Sequence, residues 1–194
     1  MELINKSLVN SLSYNEYRAL VTNLLGNNES TTKNGSEDLV SYSKLNNSRM
    51  KRLDKTTKLD DSVVNKFSSI DKKITWVVLS EGWCGDAAQN LPVINKLAET
   101  NSNINLRIVL RDENPELMNE FLTNGNQAIP KLIQLENEKA TKTWGPRPTI
   151  ATKMVVDYKA KHGQLDADFK KDLQVWYNKN KNENVIEDLS ELIF

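Results

Sequence analysis

Cysteine is almost missing from this chain of 194 residues, which has one, and histidine is equally scarce at one. A single thiol excludes an intramolecular disulfide and any cysteine-rich metal site. Charge of one sign is missing too, because 26 Lys+Arg stand against 26 Asp+Glu. That balance argues against an electrostatic nucleic-acid binder, which needs a basic excess. No apolar run approaches the roughly 18 residues of a transmembrane helix. The start Met1-Glu2-Leu3-Ile4-Asn5-Lys6 lacks the basic and apolar regions of a secretory signal. The expected address is therefore the cytoplasm, whose reducing poise suits a lone thiol. Neither a nucleic acid nor a membrane is an expected partner, and neither a metal nor a cofactor is expected.

The length fits one ordinary domain with extensions or at most two small ones. Hydrophobic residues make up 38% and the mean hydropathy is −0.58, so the surface must be heavily polar. The first 70 residues read as helices joined by polar loops. Leu12, Tyr17, Leu20, Val21, Leu24 and Leu25 recur at helical spacing, Ser13 and Glu16 form a capping box, and Gly26-Asn27-Asn28 ends the helix. A second helix is predicted over 37–57, with Leu39, Tyr42, Leu45, Arg49, Met50 and Leu53 near one face. Its Arg49-Met50-Lys51-Arg52 cluster reads as a solvated helix face rather than a binding patch. A short helix is predicted over 61–69.

From Ile74 the character changes. Ile74-Thr75-Trp76-Val77-Val78-Leu79 is the near-continuous apolar run of a strand buried on both faces. It leads through Ser80-Glu81-Gly82-Trp83-Cys84-Gly85-Asp86 into a helix that Pro92 should kink. A second strand over 104–110 follows, then a helix opened by Asp112-Glu113-Asn114-Pro115 and running to about Leu122. Lys131 to Leu135 and Ala140 to Trp144 form a hairpin about Asn137-Glu138. Gly145-Pro146-Arg147-Pro148 breaks the last strand, and helices are expected near 149–161, 166–180 and 184–193. The order β-α-β-α-β-β between helical flanks predicts an α/β fold, a mixed sheet flanked by helices.

Cys84 sits where a buried strand becomes a helix. Free backbone N–H groups and the positive end of the helix dipole stabilise a thiolate there. The bland alternative is a small buried hydrophobe, the commonest fate of a free cysteine. Trp83 would offer a flat apolar shoulder for a client, and Gly85 would let a substrate backbone approach. Asp86 opposes a thiolate, or simply supplies favourable charge in the first helical turn.

Trp83-Cys84-Gly85-Asp86-Ala87 after a buried strand resembles the Trp-Cys-Gly-Pro-Cys site of thioredoxins. Asp112-Glu113-Asn114-Pro115 is similar to the acidic turn after the next thioredoxin strand. Ile129-Pro130-Lys131-Leu132 resembles the segment holding the family's cis-proline, 46 positions (130 − 84) after Cys84, and Gly145 stands where thioredoxins have a glycine. The resemblance covers about residues 70–146 and implies a thioredoxin-like core over 71–146, with an N-terminal helical extension over 1–70 and a C-terminal one over 147–194, packed as one unit. If the thioredoxin layout holds, Arg111 and Arg147 approach the thiol, where they would offset Asp86 or bind a carboxylate, against the plainer roles of surface solvation and loop pinning. A cis Ile129–Pro130 bond would place backbone polar groups opposite Cys84, where an extended peptide could pair.

The departures limit the chemistry. Ala87 replaces the family's resolving cysteine and Val78 its buried acid. Dithiol exchange ends when a second thiolate attacks the mixed disulfide, so this chain cannot finish that cycle alone. The resemblance implies monothiol-type thiol/disulfide chemistry, with Cys84 as nucleophile, an external resolving thiol, and a protein or small thiol/disulfide client. The alternative is a redox-inactive thioredoxin-fold binding or scaffold module. The oligomeric state is left open.

Overall fold

The computed structural model describes residues 2–194. At its centre is a four-stranded sheet of β1 (Ile74–Ser80), β2 (Ile104–Leu110), β3 (Lys131–Glu136) and β4 (Lys139–Trp144), ordered β2-β1-β3-β4. β1 runs parallel to β2, with Val78 opposite Ile108, and antiparallel to β3, with Val78 opposite Leu132. The apolar run of β1 is explained by this central place: all of it but Thr75 is buried. Trp76 is buried outright, donates Nε1–H to Gln134 Oε1 at 3.1 Å and meets the Phe67 ring edge-on. Asn137 and Glu138 join β3 to β4 with φ of 48° and 63°, the positive pair that a tight hairpin requires.

The N-terminal region holds α1 (Glu2–Val9), α2 (Tyr14–Gly26), α3 (Glu37–Thr56) and α4 (Asp61–Ser68). Ser13 and Glu16 form the expected capping box on α2. Removing the hydroxyl in Ser13→Ala should cost about 1 kcal/mol in urea unfolding. Leu12, just before the Ser13 cap, pairs with Ile108, exchanging N–H···O bonds of 2.8 and 2.7 Å that partly close the outer edge of β2. The buried face of α3 also differs from expectation. Val40, Ser43, Asn46, Met50 and Leu53 turn inward, while Tyr42 and Leu45 are 55% and 49% exposed.

The crossover helix α5 (Gly85–Ala98) runs through Pro92 without ending there, and the short α6 (Pro115–Glu120) stops before Leu122. After β4 come α7 (Thr149–His162), α8 (Ala167–Asn180) and α9 (Glu183–Ile193). One hydrophobic core joins the sheet, α5, α1, α2, Met50, Phe67 and the inner face of α9 (Val185, Leu189, Ile193). The pair α7–α8 has a core of its own, built from Ala151, Val155, Phe169, Leu173 and Tyr177. No helix among the described residues is long and apolar enough to cross a membrane.

Candidate functional site

Strand β1 ends at Ser80, and the chain turns through Glu81-Gly82-Trp83 to put Cys84 at the N-cap of α5. The thiol is 8% exposed. Its Sγ accepts the Ala87 N–H at 3.4 Å and donates to the Ile129 carbonyl at 3.3 Å. The Ile129–Pro130 peptide bond is cis and both residues are buried, so the start of β3 faces the sulfur. Burial pushes the thiol up to about 12 and the Asp86 carboxylate adds to the shift, whereas the Ala87 and Asp86 N–H groups and the Arg147 guanidinium oppose it. The Ile129 carbonyl adds a separate push toward the protonated form, since it accepts a hydrogen bond that only the thiol can donate.

Asp86, in the first turn of α5, is also 8% exposed. Arg147 ion-pairs with its Oδ2 at 2.7 Å, and Tyr177 of α8 donates to its Oδ1 at 3.0 Å. Burial raises this carboxyl's pKa, against the pull of Arg147 and Tyr177. Asn90, fully buried one turn later, donates to the Tyr177 oxygen at 3.4 Å. Among the described residues, Asn90 Oδ1 and Arg147 Nε are buried without a hydrogen-bond partner.

The two sequence-selected arginines part company. Arg147 reaches Asp86, while Arg111 pairs with its neighbour Asp112 at 2.7 Å and lies over the Trp83 ring, 4.8 Å from its centroid. Trp83 is held by that stacking and by its Nε1–H bond to Thr32 at 2.8 Å. The loop before Cys84 is tied further by Glu81, a carboxylate with no exposure, which accepts from the Thr31 hydroxyl and from the Asp112 N–H. Burial raises the Glu81 pKa.

The space beside Gly85 is occupied by the chain itself. A Cβ there would meet Gln174 Nε2 at 3.5 Å, Arg49 Nη1 at 3.7 Å and Asn46 Oδ1 at 4.0 Å. The backbone approach expected at Gly85 is therefore already taken on that side by α3 and α8. Arg49, read as part of a solvated face, is half-buried here and donates to Asn46, and burial lowers its pKa. Tyr177, Gln174, Thr31 and Thr32 escaped the sequence reading. Tyr177 lies 91 residues from Asp86 and Thr31 50 from Glu81, so no local spacing could reveal them.

A groove of about 530 Å³ opens between α3, α4, α8 and α9, lined in part by Arg52, Lys58, Tyr177 and Glu183, and Cys84 is not part of it. Among the described residues no cluster of three or more His, Cys, Asp or Glu is placed to hold a metal ion. His162 stacks on Tyr158 at the end of α7.

Comparison with known proteins agrees with this architecture. Two solved structures are similar in fold. A protein of unknown function from Pseudomonas aeruginosa matches with a TM-score of 0.60 and 17% identity, covering 79% of this chain and 89% of its own. An HIV epitope-scaffold matches with a TM-score of 0.54 and 19% identity, covering 94% of this chain and 98% of its own. No curated protein matches the sequence. A family model described as thioredoxin matches residues 32–162, two thirds of the chain and the whole stretch from Thr32 through Cys84 to the end of α7, and the chain belongs to the thioredoxin family.

Proposed function

We propose that this protein is a binding module of the thioredoxin family in which Cys84 rests as a neutral thiol. The observation carrying this reading is the sulfur itself: buried, donating to the Ile129 carbonyl and facing the Asp86 charge. With no second cysteine in the chain, a mixed disulfide would have no internal route to release. The partner site in this reading is the half-buried Trp83 and the Ile129–Pro130 segment that faces Cys84, where an extended peptide would lie once the buried backbone there is uncovered. Its compartment is proposed to be the cytoplasm, where the thiol would stay reduced.

Monothiol exchange is the competing reading. It is favoured by the position of Sγ at the N-cap of α5, where the Ala87 N–H would stabilise a thiolate. Cys84 would then attack a client disulfide, expelling one client thiolate, and an outside thiol would reduce the mixed disulfide.

Iodoacetamide labelling of Cys84 as a function of pH, read by mass spectrometry, decides between them. A shift from 9.0 to about 12 leaves about a thousandfold less thiolate near neutrality than in the unfolded chain. The native labelling rate should therefore rise about tenfold per pH unit from pH 7 to 10 with no plateau. A plateau with an apparent pKa at or below about 8.5, or a glutathione adduct formed at pH 7, would establish the monothiol reading instead. The same shift fixes the sign of the pH effect on stability. Cys84 supports the fold in its protonated form, so its contribution is whole below the unfolded pKa of 9.0 and is lost as pH rises toward about 12.

A further inference from the structure

The geometry points to the α7–α8 hairpin as a cover over the first turn of α5, one that opens as a unit while α9 stays docked. Both ends of the hairpin are anchored in the main body. At its start, Asp188 of α9 accepts the Thr149 N–H at 2.8 Å and the Thr149 hydroxyl at 2.9 Å, and Asn184 accepts the Ile150 N–H at 2.8 Å. At its end, Lys181 and Asn182 take left-handed conformations with φ of 50° and 72° before α9 re-enters the main core. Between those joints the hairpin buries its apolar side chains against one another, in a cluster separate from the main core.

The seam between α8 and the body is polar. Tyr177 donates to Asp86, Asn90 to Tyr177, Gln89 to Gln174 at 2.9 Å, and Arg52 to Asn178 at 2.8 Å. These bonds are exchanged for bonds to water when the seam opens, so each contributes only a fraction of its gross strength. The seam is also imperfect, with Asn90 Oδ1 and Arg147 Nε left unpartnered among the described residues and the 530 Å³ groove running beside Tyr177. Lifting the hairpin would therefore expose little of the main core, and segments held in this way open below the global unfolding free energy. Opening would free Asp86 Oδ1 from Tyr177 and remove Gln174 from beside Gly85. Access to the turn that bears Cys84 would thus be set by how far the cover is lifted. The cover deepens the reading of this end of the sheet as a binding site, yet its opening is measurable whether or not the thiol reacts.

Native-state hydrogen exchange on the full chain tests it, together with Tyr177→Phe, which removes one hydroxyl and keeps the ring in the α7–α8 core. In the unaltered protein, protection of the α7 and α8 amides should be at least about tenfold below that of α5 and α9. In Tyr177→Phe it should fall about a further fivefold in α8 while β1 and α9 keep theirs. Equal protection across α7, α8, α5 and α9, or a loss in Tyr177→Phe shared evenly with β1 and α9, would overturn the cover. Iodoacetamide labelling of the unaltered protein separately reports the resting thiol, so failure of the cover and failure of the neutral-thiol reading give different signatures.

Discussion

Gly145→Ala should destabilise the protein by about 3–5 kcal/mol, the sum expected for a forbidden backbone conformation and a collision in a packed region. Gly145 follows β4 with a φ of 107°, where a residue with a Cβ is strained whatever space surrounds it. Here the space is also missing. A Cβ would collide with the carbonyl oxygen of Pro130, with the Pro130 carbonyl carbon at 3.3 Å and Lys131 Cα at 3.6 Å. All three are backbone atoms, so relief requires moving the segment whose Ile129 carbonyl receives the Cys84 thiol. Gly125 separates the two effects. It has a φ of 76° but nothing within 4 Å of an added Cβ, so Gly125→Ala should cost only the conformational part, about 1–2 kcal/mol. Urea midpoints at constant slope measure both. Equal losses at the two glycines would mean that the Pro130 segment gives way freely.

The central sheet was legible because its signals are local. The β1 run, the Asn137-Glu138 turn and the Ser13/Glu16 box each depend on residues within a few positions of one another. Gly145 could be picked out only through resemblance to a family, since nothing beside it announces that the Pro130 carbonyl, 15 residues earlier in the chain, will lie against its Cα. The inner face of α3 was misplaced for a related reason. Ser43 and Asn46 are polar yet buried, because Gly82 comes close there and Asn46 Nδ2 donates to the Gly82 carbonyl at 3.2 Å. Close approach selects small side chains, and a buried carbonyl selects a donor. An apolar period sees neither, and it assigned Tyr42 and Leu45 to the wrong side. Leu12 joins the apolar period of α2 from the position before the Ser13 cap, and nothing local in the sequence shows that its backbone pairs with β2.

The site shows the same division. Cys84, Trp83, Asp86, Ile129 and Pro130 stand in or beside recognisable segments and lie together at one end of the sheet. What surrounds them comes from α3, α8 and the 29–36 loop, where ordinary Asn, Gln, Thr and Tyr residues acquire meaning only through tertiary contact. Burial in the folded chain and the Asp86 charge push the thiol up, and Tyr177 of α8 helps to hold Asp86 in its buried place. The helix N-cap position suggests a nucleophile, and burial together with Asp86 reverses the electrostatic balance.

Asp86→Asn should raise the labelling rate of Cys84 at pH 7 by about tenfold, the equivalent of about one pKa unit. Burial is the first cause of the raised thiol pKa and would remain, but the carboxylate charge, the second cause, would be gone. The Arg147 guanidinium would also lose its neutralising partner and act on the sulfur with its full charge. Stability should move the other way. Neutralising Asp86 removes the desolvation cost that raises its own pKa, yet it strands Arg147, whose Nε is already without a partner among the described residues. Breaking a buried pair from one side costs about 3–5 kcal/mol. Arg147 keeps 23% of its side chain in solvent, and water screens its charge where it stands, so the expected loss is smaller, about 1–2 kcal/mol. The variant Arg147→Met with Asp86→Asn should recover most of that loss, because no charge is then left unpaired. It should also label more slowly than Asp86→Asn alone, since the cation that favours the thiolate is missing. Equal labelling rates in the unaltered protein and in Asp86→Asn would show that burial and the Ile129 carbonyl hold the proton by themselves. In that case the charge at Asp86 would serve the seam with Arg147 and Tyr177 rather than the thiol.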